Sequence, residues 1–259
     1  MKELNALQLV QEGYHDINRI RGALRDGSLR LTRNQCVGVD CYEDLVEDMS
    51  REEVEAIGNL VINTFQTHQY PDAVGIIMGS YRRGKSSSGD VDVLLTIEKH
   101  RHDVPRGALC ELVDHLWKEG HVAYHLTLLP GLKTGMAGVH RNEQVTASSS
   151  YMGVFNSPVV PRKRRRVDIK IYPYMQRAFA CLYFTGSAHF NRSMRLWAKQ
   201  KFNFKLTDRG LFDISTGKQI SEARDEKQVF DHLNLYFKEP HERVCFDDVV
   251  PWKSCRSEE

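Results

Sequence analysis

The sequence predicts an α+β fold, in which a mixed or antiparallel sheet carries two helices and is flanked by helical segments. Two observations predict it. Short apolar runs of the kind that form buried strands are confined to the middle of the chain, between residues 73 and 172. The segments before and after them have helical patterns. With 259 residues, of which 41% are hydrophobic, the chain is long enough for one large domain or two modest ones.

The first part of the chain, residues 1–65, is predicted to be mostly helical, with turns at Gly13 and Gly27 that suit a helix-turn-helix. Residues 50–53 read Ser-Arg-Glu-Glu, a capping-box pattern in which the serine hydroxyl accepts a hydrogen bond from a backbone N–H group of the first helical turn. A helix should therefore begin here and run toward Phe65.

The middle and end of the chain alternate between strand and helix patterns. An amphipathic helix is predicted at 104–117, and residues 130–150, rich in Gly, Ser and Thr, predict a turn or loop. Helices return from Met175 onward with a break at 185–187, and the polar tail after Lys253 is expected to fray. The predicted strands cover residues 73–78, 91–96, 122–128, 151–155 and 167–172.

The charge distribution is more informative than the net charge, which is only +2. Residues 162–166 read Arg-Lys-Arg-Arg-Arg, and Arg192, Arg195, Lys199 and Lys201 recur along one predicted helix. Basic stripes on a nearly neutral chain are typical of a protein that contacts phosphates with one face and holds metal-binding carboxylates on another. No apolar run approaches the length of a membrane span. The six cysteines lack zinc-like spacing, and this favours reduced thiols in an intracellular protein.

Three carboxylates form the candidate metal site. Asp90 and Asp92 lie two positions apart at the start of a predicted strand, so their side chains point the same way. Such a pair repels unless a cation lies between its members, and Mg²⁺ prefers hard oxygen ligands. Asp168, in a later strand, would complete a site for two metal ions roughly 3.5–4 Å apart. The alternative is that Asp90 and Asp92 are a solvated pair at a strand edge.

The segment before these carboxylates reads Gly79-Ser80-Tyr81-Arg82-Arg83-Gly84-Lys85. It ends one strand and is predicted to start a short helix, so that free backbone N–H groups, Ser80 and Arg83 would hold the phosphates of a nucleotide.

Residues 79–96 resemble the palm motif of the family X DNA polymerases. The resemblance continues at 165–169 and 182–195, covers about residues 9–243, and is closest to the lambda branch of that family. It implies a nucleotidyltransferase-type palm sheet with helices on one side. It also implies a partial fingers (helix-hairpin-helix) segment at 1–48, a catalytic palm at 49–174 and a C-terminal nucleotide-selection subdomain at 175–259.

The resemblance also assigns roles to single residues. Asp90, Asp92 and Asp168 match the family's catalytic metal ligands. The other matches are Ser80, Arg83 and Gly89 for the triphosphate, Tyr183, Phe184, Gly186 and Asn191 for the sugar and base of the incoming nucleotide, and Arg166, Arg192 and Arg195 for DNA.

Several details refine the expected subtype. Tyr183-Phe184 replaces the Gly-Trp pair of the template-independent members, which implies selection of deoxynucleotides, and the short connection between residues 153 and 168 favours templated synthesis. No counterpart of the family's N-terminal lyase domain is expected in this sequence. Asp48 stands where related members place a triphosphate-binding arginine.

Other features leave alternatives open. The basic run at 162–166 suits a hairpin that contacts DNA phosphates, with Arg166 near the primer end, and also suits a nuclear import signal. Lys170 either pairs with the metal-free carboxylates or is a surface charge. The histidines, among them His121, His125 and His140, are not expected to form a ligand set.

The resemblance implies a nuclear, monomeric, template-directed DNA polymerase. It would use two Mg²⁺ ions, or Mn²⁺ as a substitute, to add deoxynucleotides to a primer 3′-hydroxyl in short-gap repair. Gapped or primer-template DNA, deoxynucleoside triphosphates and repair-complex proteins are the expected partners, with no membrane contact. The rival interpretations are a tailing or small-molecule nucleotidyltransferase and a non-catalytic factor that binds DNA ends.

Overall fold

A computed structural model describes residues 6–129, 132 and 149–252. Most of the loop predicted at 130–150, together with His140 and the tail after Lys253, lies outside the described residues. Residues 149 and 150 already belong to a strand, so the loop prediction was wrong for them.

The helices and strands are numbered here in chain order. The helices are α1 Ala6–Gln11, α2 Ile17–Arg25, α3 Arg33–Asp40, α4 Tyr42–Val46, α5 Arg51–His68, α6 Gly79–Arg82, α7 Ala108–Lys118, α8 Arg177–Thr185, α9 Ala188–Phe202 and α10 Glu226–His232. The strands are β1 Met49–Ser50, β2 Ala73–Ile77, β3 Ser87–Ser88, β4 Val91–Ile97, β5 Val122–His125, β6 Ser149–Asn156, β7 Arg164–Pro173, β8 Phe204–Leu206, β9 Leu211–Asp213 and β10 Gln219–Ser221.

The N-terminal helices follow their local sequence signals. Asp16 caps α2 by accepting a hydrogen bond from the backbone N–H of Arg19, and Thr32 caps α3 in a reciprocal capping box. Gly13 and Gly27 lie in the turns with φ of 91° and 79°, a conformation that favours glycine. The predicted helical character of this part is confirmed.

The predicted cap of α5 is also confirmed. The Ser50 hydroxyl accepts a hydrogen bond from the backbone N–H of Glu53 at 3.3 Å. The Glu53 carboxylate does not turn back to the cap, because it pairs with Arg165 in the interior. Just before the helix, β1 pairs with β3 to form a two-stranded ribbon that the sequence did not indicate.

The central sheet contains all five predicted strands, in the order β2-β4-β7-β6-β5. Strands β4 and β7 are parallel and the other neighbours are antiparallel, so the sheet is mixed, the first of the two predicted alternatives. The strand β5 ends three residues before the predicted limit of 128, at His125.

Helices α5 and α7 cover one face of this sheet. Val91, Val93 and Leu95 of β4 point into the same apolar core as these two helices. The helix α7 begins at Ala108 and not near residue 104, because Gly107 with φ of 86° precedes it as its cap. On the other face, Leu94 packs against residues of α8, so a helix of the C-terminal part adds to the predicted pair.

The C-terminal part has its own apolar core, which α8, α9 and α10 build together with a three-stranded antiparallel sheet, β10-β9-β8. The sequence predicted only helices here, so this sheet corrects the expectation. Among the described residues, no helix is both long enough and apolar enough to cross a bilayer.

Candidate active site

Two neighbouring strands bring the three predicted carboxylates together. The strands β4 and β7 run parallel in a register that places Asp92 directly beside Asp168, and Asp90 immediately precedes β4. The residues that alternate with these aspartates, such as Val91 and Val167, are fully buried against α5 and α7. The aspartates therefore point away from that core, on the opposite face of the sheet, and the prediction that the strand of Asp168 lies beside the first strand is confirmed.

The electrostatics of this group are those of a cation site. Burial, and after it the nearby Asp168 carboxylate, raises the pKa of Asp92 to about 6. The Oδ1 atom of Asp168 is buried and has no hydrogen-bond partner among the described residues. Buried carboxylate oxygens without a partner are costly unless a cation or donor satisfies them. The hard oxygen donors present therefore fit a divalent metal ion.

Two basic side chains lie against the carboxylates. The Arg166 guanidinium forms an ion pair with Asp90, and its Nε lies 3.8 Å from Oδ1 of Asp168. Lys170 Nζ lies 3.9 Å from Oδ2 of Asp168 and 4.7 Å from the ring centre of Phe184. Of the two alternatives that the sequence left open for Lys170, the structure thus supports pairing with a carboxylate.

The segment between β2 and β4 forms the predicted short helix, α6, beside this group. Gly79 opens it with φ of 58°, and a Cβ atom there would collide with Oδ2 of Asp92. The backbone N–H of Met78 donates to the carbonyl of Asp92 at 2.8 Å. Ser80 donates through its hydroxyl to the Ser88 hydroxyl at 2.7 Å, while Gly89 is exposed. The turn is thereby fixed against the carboxylate strand.

An acidic residue borders the same turn. The Ser87 hydroxyl donates to Oδ2 of Asp48 at 2.8 Å, and a Cβ atom on Gly89 would lie 3.7 Å from Oδ1 of Asp48. A carboxylate therefore lies next to a residue assigned by resemblance to the triphosphate.

The end of α8 is tied to α6 through a residue that the sequence analysis did not single out. Arg83 donates to the carbonyl of Thr185, and Arg82 donates to the Thr185 hydroxyl. Arg82 also pairs with Glu226, which accepts from Arg243 at 2.6 Å. Burial opposes ionisation of Glu226, yet the hydrogen bond from Arg82 holds its pKa below the usual value. Only the position of Thr185 within the Tyr-Phe-Thr-Gly-Ser motif signalled its importance.

The residues expected around the sugar and base gather at the α8–α9 junction. The Asn191 amide donates to the carbonyl of Tyr183 at 2.7 Å, and the Arg195 guanidinium lies over the Tyr183 ring at 4.9 Å. Gly186 has φ of 69°, and a Cβ atom there would lie 3.1 Å from Nη1 of Arg83. Phe184 packs edge-on against Tyr172. The peptide bond after Gly186 is cis.

The predicted DNA-contacting residues divide into two groups. Arg192 and Arg195 are exposed on α9, Arg195 with its guanidinium over the Tyr183 ring. In the basic run, however, Lys163 pairs with acidic residues of the α4 region, Arg164 contacts the Cys41 thiol, and Arg165 is 2% exposed. These three cations are used within the protein. This corrects the expectation that the whole run faces DNA or is available to an import receptor.

The histidines have two kinds of surroundings. The Nδ1 atom of buried His125 hydrogen-bonds the Tyr151 hydroxyl at 2.7 Å, which agrees with a structural role. In contrast, His68 and His115 approach each other and Glu119 closely enough to share an ion. Their separation in sequence concealed this group.

Comparisons with known proteins agree with this arrangement. Residues 48–174 match the family model of the DNA polymerase beta palm, and residues 180–244 match that of the DNA polymerase beta thumb. The chain is 34% identical over 242 residues to DNA polymerase lambda of Rattus norvegicus, an alignment that covers 90% of this chain and 38% of the relative. It is 32% identical over 254 residues to a DNA nucleotidylexotransferase of Monodelphis domestica (89% of this chain, 47% of the relative). It is 31% identical over 247 residues to that of Homo sapiens, with the same two coverages.

The chain belongs to the family X DNA polymerases. It spans between 38% and 47% of the length of these curated relatives.

Proposed function

We propose that this family X chain is the catalytic core of a template-directed DNA polymerase, which adds deoxynucleotides to a primer 3′-hydroxyl. One observation carries the proposal. Asp92 and Asp168 lie side by side on parallel strands with Asp90 adjacent, and a buried Asp168 oxygen accepts no hydrogen bond from the described residues. This oxygen-rich donor set suits two Mg²⁺ ions, with Mn²⁺ as a substitute. When bound, such ions stabilise the charge on the attacking and leaving oxygens of an in-line displacement at phosphorus.

The remaining residues would bind and orient the nucleotide. Ser80, Arg83 and Gly89 border the turn beside Asp92 and would hold the triphosphate, with backbone N–H groups as additional donors. Arg83 contacts the carbonyl of Thr185 and so links the phosphate end to the sugar end of the site. Arg166 pairs with Asp90, and it would have to leave this carboxylate for an ion to bind there.

The wall of the nucleotide site would select the sugar. The Asn191 amide holds the carbonyl of Tyr183, and the Tyr183 ring lies beneath Arg195, so contacts within the protein position this wall. A 2′-hydroxyl pressed against Tyr183, Phe184 and Gly186 would lack space and a hydrogen-bond partner. Arg192 and Arg195, exposed on α9, would contact DNA.

Templated synthesis is supported by the short hairpin that joins β6 to β7. The hairpin closes with a hydrogen bond from Ser157 N to the Lys163 carbonyl at 2.8 Å, so it does not extend over the site as a long loop. The similarity to DNA nucleotidylexotransferases makes untemplated addition the alternative outcome of the test below.

The wider setting is proposed from the resemblance alone. The chain would act as a monomer in the nucleus on gapped DNA, within base excision repair or end joining, together with repair-complex proteins. The division into a fingers segment at 1–48, a palm at 49–174 and a nucleotide-selection subdomain at 175–259 belongs to the same proposal. The separate apolar cores of the sheet layer and the C-terminal part support only the boundary between the last two of these units.

The decisive experiment is primer extension on a one-nucleotide-gapped duplex, compared with a single-stranded primer, with each deoxynucleotide and ribonucleotide. We expect templated incorporation, and we expect Asp168→Ala to lower its rate by roughly 10³-fold or more. The matched control is Asp231→Asn, at an exposed position of α10, which should keep full activity. Equal extension without a template would replace the polymerase proposal with a tailing activity. Normal turnover of Asp168→Ala would remove Asp168 from the site.

A further inference from the structure

The C-terminal ends of α5 and α7 carry a cluster of imidazole and carboxylate groups on the face of the sheet opposite the aspartates. His68 lies in the last turn of α5, His115 lies in the last turn of α7, and Glu119 follows directly as the cap of α7. One ligand atom from each of the three lies within 4.8 Å of the other two. These residues take no part in the proposed polymerase site.

The geometry of the cluster follows from helix spacing and packing. His115 and Glu119 are four residues apart and so share one helix face, with His115 Nε2 3.5 Å from Oε1 of Glu119. Because α5 packs against α7, the rings of His68 and His115 meet at a centroid distance of 3.8 Å. His121 adds another imidazole, whose Nε2 lies 3.5 Å from Oε2 of Glu119.

The position favours a cation for a second reason. Both helices end at the cluster, and the aligned peptide dipoles of a helix give its C-terminal end a partial negative charge. The helices have 18 and 11 residues, so each forms several turns that contribute to this field. A divalent ion held here would interact with two helix ends and one carboxylate at the same time.

The donor set determines the class of metal. Two imidazole nitrogens and one carboxylate oxygen, with a further position open to water or to His121, suit zinc and similar transition-metal ions. Magnesium prefers an all-oxygen site such as the aspartate group on the other face. The two faces of the sheet therefore differ in the metal chemistry that they offer.

We propose that His68, His115 and Glu119 bind one zinc-class ion, which ties the C-terminal end of α5 to that of α7. The ion stabilises the helix layer beneath the sheet and leaves the nucleotidyl-transfer reaction unchanged. Without the ion, the contact between His115 and Glu119 contributes little to stability, because both side chains are partly exposed.

The test is isothermal titration of the full chain with ZnCl₂ in saturating MgCl₂, so that magnesium occupies the carboxylate site. We expect one zinc ion per chain, and we expect His115→Ala and His68→Gln each to weaken binding by about tenfold or more because each removes a ligand. His15→Ala, which removes an exposed histidine from the connection between α1 and α2, is the matched control and should bind zinc normally.

Two further measurements separate this site from other sources of zinc binding. Zinc should raise the melting temperature of the wild type and of His15→Ala, but not that of His115→Ala. Primer extension in magnesium alone should be the same for all these proteins. The proposal is overturned if no zinc binds in saturating magnesium. It is also overturned if His115→Ala and His68→Gln bind zinc as tightly as the wild type does. Both results are independent of the outcome of the polymerase assay.

Discussion

Of the five cations in the basic run at 162–166, Arg165 should contribute most to stability, through its ion pair with Glu53. The two side chains are 3% and 4% exposed, and Arg165 also donates to the carbonyls of Asp44 and Glu47. Replacement by methionine would leave the Glu53 carboxylate buried without its cation. Breaking a buried pair in this way costs about 3–5 kcal/mol, and we expect Arg165→Met to lower the free energy of unfolding by that amount.

The control for this prediction is Arg162→Met, because Arg162 is an exposed member of the same run and should change stability by about 0.5 kcal/mol or less. Both variants are to be unfolded in urea, together with Glu53→Met and the double variant Glu53→Met/Arg165→Met.

The double variant should recover most of the loss, because no uncompensated charge stays buried. If Arg165→Met is as stable as Arg162→Met and instead loses affinity for gapped DNA, then Arg165 is a phosphate contact and the reasoning is refuted.

Three further predictions concern the site itself. In a chelating buffer, the contribution of Asp92 to the free energy of unfolding should be lost as pH rises from its ordinary pKa of 3.8 through its raised pKa of about 6. Added Mg²⁺ should restore this stability. The prediction is contradicted if urea unfolding gives the wild type and Asp92→Asn the same dependence of stability on pH. Because Asp48 lies beside Gly89, Asp48→Arg should lower KM for a deoxynucleotide by about three- to tenfold in a gap-filling assay. An unchanged KM would show that Asp48 does not lie near the triphosphate. The wild type should discriminate against ribonucleotides by roughly ten- to a few-hundred-fold, and Tyr183→Ala should reduce this ratio of kcat/KM values; a wild type that accepts both sugars equally would rule out Tyr183 as the selecting residue.

The sequence predicted the central sheet because its strands have strong local patterns. The apolar run at Ala73–Ile77 and the alternation around Asp92 and Asp168 identify buried strands without any tertiary information. The metal site needs the two aspartate strands to be neighbours in the sheet, and the structure pairs them directly. The fold class and the position of the three carboxylates were therefore accessible before the structure was known.

Other features depend on contacts between distant parts of the chain. The strands β8, β9 and β10 have three residues each, too few to show an alternating pattern. The internal use of Arg165 could not be predicted, because its partner Glu53 lies 112 positions earlier and looked like a capping residue. The approach of His68 to His115 likewise arises only from the packing of α5 on α7.

The alternation along β7 places strict limits on changes in chain length. Arg165, Val167 and Ile169 face the buried core, while Arg166 and Asp168 face the carboxylate site. Deletion of one residue within this strand would exchange the two sets, so that an aspartate would enter the apolar core and a valine would face Asp92. Insertions that leave both aspartate strands intact would not alter this register. Natural variation in length among homologous chains should therefore fall between the strands and be excluded from residues 164–173.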